Sequence, residues 1–179
     1  DLFKLAMRVS AKRLFPNFSF LDAPFNLQYY KPGDYDTEVA YMGCRTRVMG
    51  NVHDKNREVT CGRGNLSFTS INLPRIGIES KGDVKKFYEI LDQRIDLCIE
   101  QLLHRFKIQC SKKAFNYPFL MGQGVWIDSD QLDRNDSVAE VLKHGTLSVG
   151  FIGLAETLVA LTGKHHGESE ESYKLGYEI

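Results

Sequence analysis

The sequence predicts a mixed α/β protein, and three stretches of its 179 residues carry this prediction. Apolar residues recur at helical spacing from about residue 83 to residue 106. Residues 66–73 alternate like a strand with one buried face. Residues 146–163 pass almost directly from a strand into a helix, a connection typical of α/β folds. An apolar fraction of 42% at this length is enough for a hydrophobic core, so one domain is the expectation.

The remaining elements follow from periodicity and from turn residues. Helices are predicted at residues 1–12, 83–106 and 137–142, from 153 to a stop at Gly163, and after the capping residue Ser169. Strands are predicted at residues 37–42, 66–73 and 146–152, with Pro74 ending the second. Two connections that contain proline or glycine, residues 15–33 and 117–126, are predicted to be extended chain with turns.

The charge balance and the hydropathy pattern exclude several classes of partner. With 23 Lys plus Arg against 23 Asp plus Glu, no summed field favours nucleic acid or an anionic membrane. No apolar run approaches the roughly 20 residues that span a bilayer. Charges throughout the first fifteen residues are unlike a signal peptide. The expectation is a cytoplasmic protein with neither a membrane nor a nucleic-acid partner.

The cysteines and histidines do not predict a metal site in this chain. Four cysteines, at positions 44, 61, 98 and 110, contain no C-x-x-C pair, so reduced thiols are expected rather than zinc ligands or disulfides. Cys98 falls on the apolar face of the long helix and is predicted to be a buried structural thiol. His165 and His166 are adjacent, do not share a helix face, and predict a solvated turn.

Cys44 stands apart because it follows the end of a strand-like run, in EVAYMGCRTRV. Arg45 and Arg47 would favour a thiolate, and hence a nucleophile. A phosphatase-type loop needs an arginine six positions after the cysteine, where this sequence has Gly50. A cysteine protease needs a paired histidine, and nothing in the sequence pairs one with Cys44. A reactive thiol and a structural thiol both remain open from the residues alone.

Three long strings give the sequence a resemblance to a known family: EVAYMGCRTRVMGN, GRGNLSFTSINLPRIGIES and EVLKHGTLSVGFIGLAETLVALTGKHHGES. They closely resemble the anaerobic, class III ribonucleoside-triphosphate reductases of the glycyl radical enzyme superfamily, from about Phe15 to the C-terminus. The resemblance implies that residues 1–179 are a partial segment of a ten-stranded α/β barrel with a cysteine-bearing finger loop. It also implies that the N-terminal regulatory domain and the C-terminal glycyl radical and zinc region lie outside this segment.

The resemblance implies roles for four residues, and a glycine-rich turn in the sequence suggests a role for two more. Cys44 matches the finger-loop cysteine, whose thiyl radical removes hydrogen from C3′ of the ribose. Asn65 matches an asparagine that faces the ribose hydroxyls, although GRGN is also good turn chemistry. Met42 and Gly43 are expected beside the substrate, and Met42 resembles the methionine of the formate-using branch. Thr146 and Ser148 are expected to bind substrate, since they precede a glycine-rich strand-to-helix turn that offers N–H groups to phosphate. Close helix packing is the competing explanation for those glycines.

The parent enzyme implied by the resemblance reduces ribonucleoside triphosphates to 2′-deoxy forms under anaerobic conditions. Its cofactors would be a glycyl radical, zinc in the C-terminal region, and formate as the reductant. Its partners would be a radical S-adenosylmethionine activating enzyme, ATP and deoxynucleotide allosteric effectors, and a second copy in a homodimer. The segment by itself is not expected to turn over, and its open strand edges predict self-association. The alternatives are a non-catalytic nucleotide-binding relative of the same fold and the cobalamin-dependent branch.

Overall fold

The computed structural model describes residues 1–43 and 46–179, so Cys44 and Arg45 lie outside the described part. The described chain divides into two compact units, residues 1–64 and residues 65–179. Helices and small sheets alternate in it, which confirms the mixed α/β class. The barrel remains a prediction. In the described residues no helix has both the length and the apolar character needed to cross a membrane.

The described residues of the first unit form two α-helices and one small sheet. Its elements are α1 (Leu2–Arg13), α2 (Pro24–Leu27), a 3-10 turn (Tyr35–Thr37), β1 (Ala40–Met42) and β2 (Thr46–Val48). Asp1 caps α1 by accepting a hydrogen bond from Lys4 N. Leu14, at φ 58°, ends α1 by donating its N–H to Ser10 O.

β1 and β2 form an antiparallel pair in which Tyr41 lies opposite Arg47 and Met42 opposite Thr46. The predicted strand at 37–42 starts later, at Ala40. Thr37 instead ends the 3-10 turn, because its hydroxyl donates to Asp34 O and accepts from Lys31 N. Side-chain hydrogen bonds to the local backbone compete in this way with strand pairing.

Arg63 closes the segment that follows β2. Its guanidinium donates to the carbonyls of Gly50 and Val59, which lie at the start and near the end of that segment. Burial lowers the pKa of Arg63, although an arginine so far above neutrality stays charged. Gly50 has φ 59°, the left-handed backbone that glycine adopts most readily.

The second unit contains a parallel strand pair and five α-helices. Its elements are β3 (Asn65–Asn72), α3 (Leu73–Ser80), α4 (Val84–Cys110), 3-10 turns (Ala114–Asn116 and Ser129–Gln131), α5 (Ala139–Leu142), β4 (Thr146–Ile152), α6 (Leu154–Thr162) and α7 (Glu170–Glu178). β3 and β4 are parallel, in a register that pairs Asn65 with Thr146 and Asn72 with Ile152.

Each parallel strand turns directly into a helix. Gly153, at φ 75°, is the N-cap of α6, as the sequence predicted for this turn. The turn after β3 differs from the prediction, because Pro74 begins a helix as well as ending a strand. Asn72 caps α3 by accepting from Arg75 N, and Pro74 occupies the first turn, where its missing N–H is not needed.

α4 is the longest helix and extends four residues beyond its predicted end. Asp83 caps it by accepting from Lys86 N. One edge of β3 is covered by polar side chains spaced four residues apart on α4. Gln109 Nε2 donates to Leu66 O at 3.0 Å, and Arg105 Nη1 donates to Phe68 O at 3.1 Å. These bonds satisfy carbonyls that an exposed edge strand would leave open.

Two apolar clusters hold the second unit together. The first has a buried centre of Ile71, Leu73, Ile76, Phe87, Leu91 and Leu161. Cys98 is half-buried and packs against it, so its predicted structural place holds although its predicted full burial does not. The second has a buried centre of Ala114, Met121, Trp126, Val138, Val141 and Leu142.

Residues 117–126 are compact, where extended chain was predicted. Successive turns are closed by hydrogen bonds from Met121 N to Tyr117 O and from Trp126 N to Leu120 O. Trp126 then buries its ring and donates Nε1–H to Val141 O at 2.7 Å. Burial of a large aromatic ring with a satisfied N–H stabilises this loop, and strand pairing plays no part in it.

α3 and α6 pack closely through small residues. A Cβ at Gly77 would lie 3.3 Å from Ala160 Cβ and from Thr157 Cγ2. A Cβ at Gly153 would lie 2.3 Å from Pro74 Cγ, which is an impossible separation. The two strand-to-helix turns therefore fit against each other only because position 153 has no side chain.

Gly153→Ala is expected to destabilise the protein more than the control Gly163→Ala. Both glycines have positive φ, so alanine at either position costs about 1–2 kcal/mol of backbone strain. Only at Gly153 does the new methyl group meet Pro74, which should add roughly 1–3 kcal/mol. Nothing lies within 4 Å of a Cβ at Gly163. Urea unfolding measures both, and equal losses would show that the Pro74 contact does not constrain the turn.

Candidate functional site

Asn65, Thr146 and Ser148 form a polar cluster where β3 and β4 begin. The Asn65 side-chain oxygen Oδ1 accepts hydrogen bonds from both hydroxyls, with Ser148 Oγ at 3.2 Å. Asn65 and Thr146 are exposed and Ser148 is half-buried. The structure thus brings together three of the six residues to which the sequence assigned a role.

Close packing beside the cluster sets this geometry. Leu66 follows Asn65 and Gly145 precedes Thr146, and a Cβ at Gly145 would lie 2.6 Å from Leu66 Cγ. The register between the strands also shifts between Asn65 and Ser67. Such an irregularity re-aims side chains at a strand end. Asn65 can therefore reach two hydroxyls that lie on the same face of β4.

The cluster is an oriented, non-titrating hydrogen-bonding group. The Asn65 amide oxygen is directed toward β4, where it accepts from both hydroxyls. Hydrogen bonds accepted by the oxygen polarise an amide and strengthen its N–H groups as donors. Because an amide does not ionise, the cluster would interact with neutral hydroxyl groups in the same way over a wide pH range.

A buried histidine lies two residues before β4. His144 is 7% exposed, and its Nε2 lies 3.6 Å from Asp128 Oδ2. Asp128 has φ 60°, an unusual conformation for a residue other than glycine. Sequence analysis noted His144 only as part of a string and missed Asp128. The sequence signal for His144 was weak, because a histidine close to the start of a strand is also common as ordinary packing.

The N-terminus of α6 is a separate place from the cluster. Thr146 begins β4, and α6 begins after its last residue, about 20 Å away at the usual rise per residue. The contact with Pro74 explains Gly153 by close packing, the competing explanation from the sequence. Glu156 in the first turn adds a negative charge there. A phosphate at this helix start would meet that carboxylate.

In the first unit, Met42 and Gly43 are the last described residues before Cys44. The Met42 thioether lies against Gly64, where a Cβ would be 3.2 Å from its Sδ and Cε atoms. Gly43 is exposed with φ 51°, a left-handed conformation that glycine adopts readily. Cys44 itself lies outside the described residues.

The other thiols are poorly suited to nucleophilic chemistry. Partial burial, and then the neighbouring Asp36 carboxylate, raise the pKa of the Cys61 thiol. Burial is also the main cause of the raised pKa of Cys110. Both therefore stay protonated at neutral pH. Across residues 1–43 and 46–179, no three His, Cys, Asp or Glu side chains are placed to hold a metal ion.

Two clefts in the second unit lie elsewhere. One of about 830 Å³ is formed by the loop at residues 114–134, and one of about 310 Å³ lies between β3, α3 and α4. Neither is lined by Asn65, Thr146 or Ser148. The polar cluster lies on an open sheet surface, so a closed pocket around it would need further protein elements.

Gly145→Ala is expected to destabilise the protein by about 1–3 kcal/mol, because the new methyl group overlaps Leu66. In a Leu66→Ala background the same change should cost less, giving a coupling energy of roughly 0.5–3 kcal/mol in chemical denaturation. Gly150→Ala on the same strand is the control, since its Cβ would meet nothing closer than Ser70 Oγ at 3.6 Å. Additive losses for the Gly145 and Leu66 changes would contradict this account.

Comparison with known proteins covers the entire chain. A family model described as anaerobic ribonucleoside-triphosphate reductase matches residues 1–179. The chain is 32% identical over 176 residues to the anaerobic ribonucleoside-triphosphate reductase of Escherichia coli strain K12, which covers 97% of the chain. It is 33% identical over 182 residues to that of Salmonella typhimurium, and 31% identical over 173 residues to that of Enterobacteria phage T4, covering 100% and 93% of the chain.

The match covers only part of each relative. The chain spans 24% of the length of the E. coli and Salmonella proteins and 27% of the phage protein. A match of the family model over all 179 residues establishes membership, whichever part of the relatives is covered. The chain belongs to the anaerobic ribonucleoside-triphosphate reductase family.

Proposed function

We propose that the chain is part of the catalytic barrel of an enzyme that reduces ribonucleoside triphosphates to 2′-deoxyribonucleoside triphosphates, with Cys44 as the hydrogen-abstracting residue. The observation that carries the proposal is the family match over the whole chain, which includes the string around Cys44. The oriented amide of Asn65 adds independent support, because it offers the kind of group that neutral sugar hydroxyls require.

Cysteine suits hydrogen-atom transfer better than any other side chain. In the proposed step, a thiyl radical at Cys44 takes the hydrogen atom from C3′ of the ribose. The S–H bond forms, the C–H bond breaks, and the unpaired electron moves to C3′. Because the two bonds are similar in strength, the step is reversible and the thiyl radical can be regenerated. The 2′-hydroxyl then leaves as water after it accepts a proton.

Asn65 holds the sugar in this proposal. Its amide is polarised by Thr146 and Ser148, so its N–H groups are strong donors toward a ribose hydroxyl oxygen. Thr146 and Ser148 then act on the substrate through Asn65. Met42 and Gly43 would lie beside the substrate because they directly precede Cys44 in sequence.

The overall reaction needs two electrons that the chain's described residues do not supply. With formate as the reductant, one ribonucleotide, one formate and one proton give one deoxyribonucleotide, one carbon dioxide and one water. A glycyl radical elsewhere in the enzyme, installed by a radical S-adenosylmethionine activating enzyme, would supply the unpaired electron. Zinc outside residues 1–179, nucleotide effectors and a homodimer complete the proposed enzyme.

The exposed surface of the parallel sheet is consistent with a larger barrel. Phe68 on β3 is 70% exposed and Phe151 on β4 is 60% exposed. Parallel sheets are normally covered on both faces. Such apolar exposure on a two-stranded parallel sheet fits a segment whose neighbours are further strands and helices of the same enzyme.

Cys44→Ala is expected to abolish deoxynucleotide formation in the anaerobically activated whole enzyme while the glycyl radical signal remains. Alanine has no S–H bond, so the stored radical cannot reach the ribose. Electron paramagnetic resonance follows the radical, and chromatography of the nucleotides follows the product.

Cys61→Ala is the matched control, since Cys61 is an exposed thiol in the same unit with a raised pKa. It should leave both the radical signal and the product yield close to wild type. Product formation by Cys44→Ala would overturn the assignment of Cys44.

A further inference from the structure

Asn26 is a buried amide at the centre of a hydrogen-bond network in the first unit. It lies in α2 and is 2% exposed. Its Oδ1 accepts from Tyr41 Oη and from Arg47 Nη1, both at 3.2 Å. Its Nδ2 donates to Phe20 O at 2.7 Å. The amide therefore connects the loop before α2 with both strands of the small sheet.

The two strands that Asn26 contacts are short. β1 and β2 have three residues each, and among residues 1–43 and 46–179 each of them pairs only with the other. A two-stranded pair of this kind is marginally stable without outside contacts. Tyr41 and Arg47 lie directly opposite each other on β1 and β2. The single Asn26 Oδ1 atom therefore contacts both strands at paired positions.

A second contact joins the same partners. The Arg47 guanidinium carbon lies 5.3 Å from the centre of the Phe25 ring, a cation–π arrangement. Phe25 and Asn26 are neighbours in α2. Arg47 is therefore held by an oxygen and by an aromatic face from one short helix. These two contacts from α2 fix both the position and the orientation of the Arg47 side chain on β2.

We propose that Asn26 is a positioning residue, which sets the orientation of β1 and β2, the two strands that flank Cys44 in sequence. The inference rests on the proposed function, in which Cys44 carries the reacting sulfur. Asn26 acts only through Tyr41 and Arg47 and touches no substrate. Hydrogen transfer depends steeply on the distance between donor and acceptor, and a misplacement of about 1 Å can cost roughly 100-fold in rate.

Tyr41→Phe and Asn26→Ala test the inference in the activated whole enzyme. Tyr41→Phe removes one O–H donor from an exposed side chain, so the fold should be kept. Asn26→Ala removes all three hydrogen bonds. Both are expected to slow product formation, by up to roughly 100-fold for Asn26→Ala, with an unchanged glycyl radical signal. Substrate labelled with deuterium at C3′, in competition with unlabelled substrate, should show an isotope effect larger than in wild type.

Two further variants separate positioning from general stability. Thr37→Val removes the hydrogen bonds of another buried polar side chain in the first unit, with Lys31 N and Asp34 O. It should lower the unfolding temperature and leave the isotope effect at the wild-type value. Asn26→Asp keeps an acceptor for Tyr41 and Arg47, adds a negative charge beside Arg47, and replaces the donor to Phe20 O with an acceptor. It should return the isotope effect toward wild type.

An isotope effect in Tyr41→Phe and Asn26→Ala equal to that of wild type would overturn the inference, because a smaller folded fraction lowers the rate without changing the transfer step. Should Asn26→Ala not fold, Tyr41→Phe decides. Failure of the proposed function has a different signature, in which Cys44→Ala still makes product.

Discussion

The second unit depends on the close fit between its two strand-to-helix turns. β3 and β4 are parallel, and each turns at once into a helix at the same end of the sheet. The helices α3 and α6 can lie side by side only because Gly153 leaves room for Pro74 and Gly77 leaves room for Thr157. This packing fixes the strand register, and the register brings Thr146 opposite Asn65 at the other end. The polar cluster thus depends on the Gly145–Leu66 packing beside it and also on contacts about 20 Å away from it.

Local sequence signals predicted most of the second unit. The 27-residue helix α4, the strand β4 and the stop of α6 at Gly163 follow from periodicity and from turn residues. α3 was missed because Pro74 was taken only as the end of a strand, while a proline in the first helical turn signals a start as well. The turns before Trp126 were missed because their stability comes from burial of its ring against α5, a contact distant in sequence.

The candidate site was predictable in its members and less so in its arrangement. Family-like strings pointed to Asn65, Thr146 and Ser148, but no local rule says that the amide oxygen takes both hydroxyls. The Asn26 network escaped sequence analysis altogether, since a buried asparagine in a short helix has no pattern of its own. Polar contacts between distant segments are the features that periodicity cannot show.

The Asn65 cluster has a consequence for folding and synthesis. Asn65 and Thr146 are 81 residues apart in the chain. The helices α3 and α4 can form locally, whereas the amide is oriented only after β4 has been made and has joined β3, a late step for a contact of this range. At the usual rate of ribosomal synthesis, that delay is about 4–16 s. During this interval β3 has no strand partner. Its unpaired edge and its exposed apolar side chains are then a surface that a chaperone can bind.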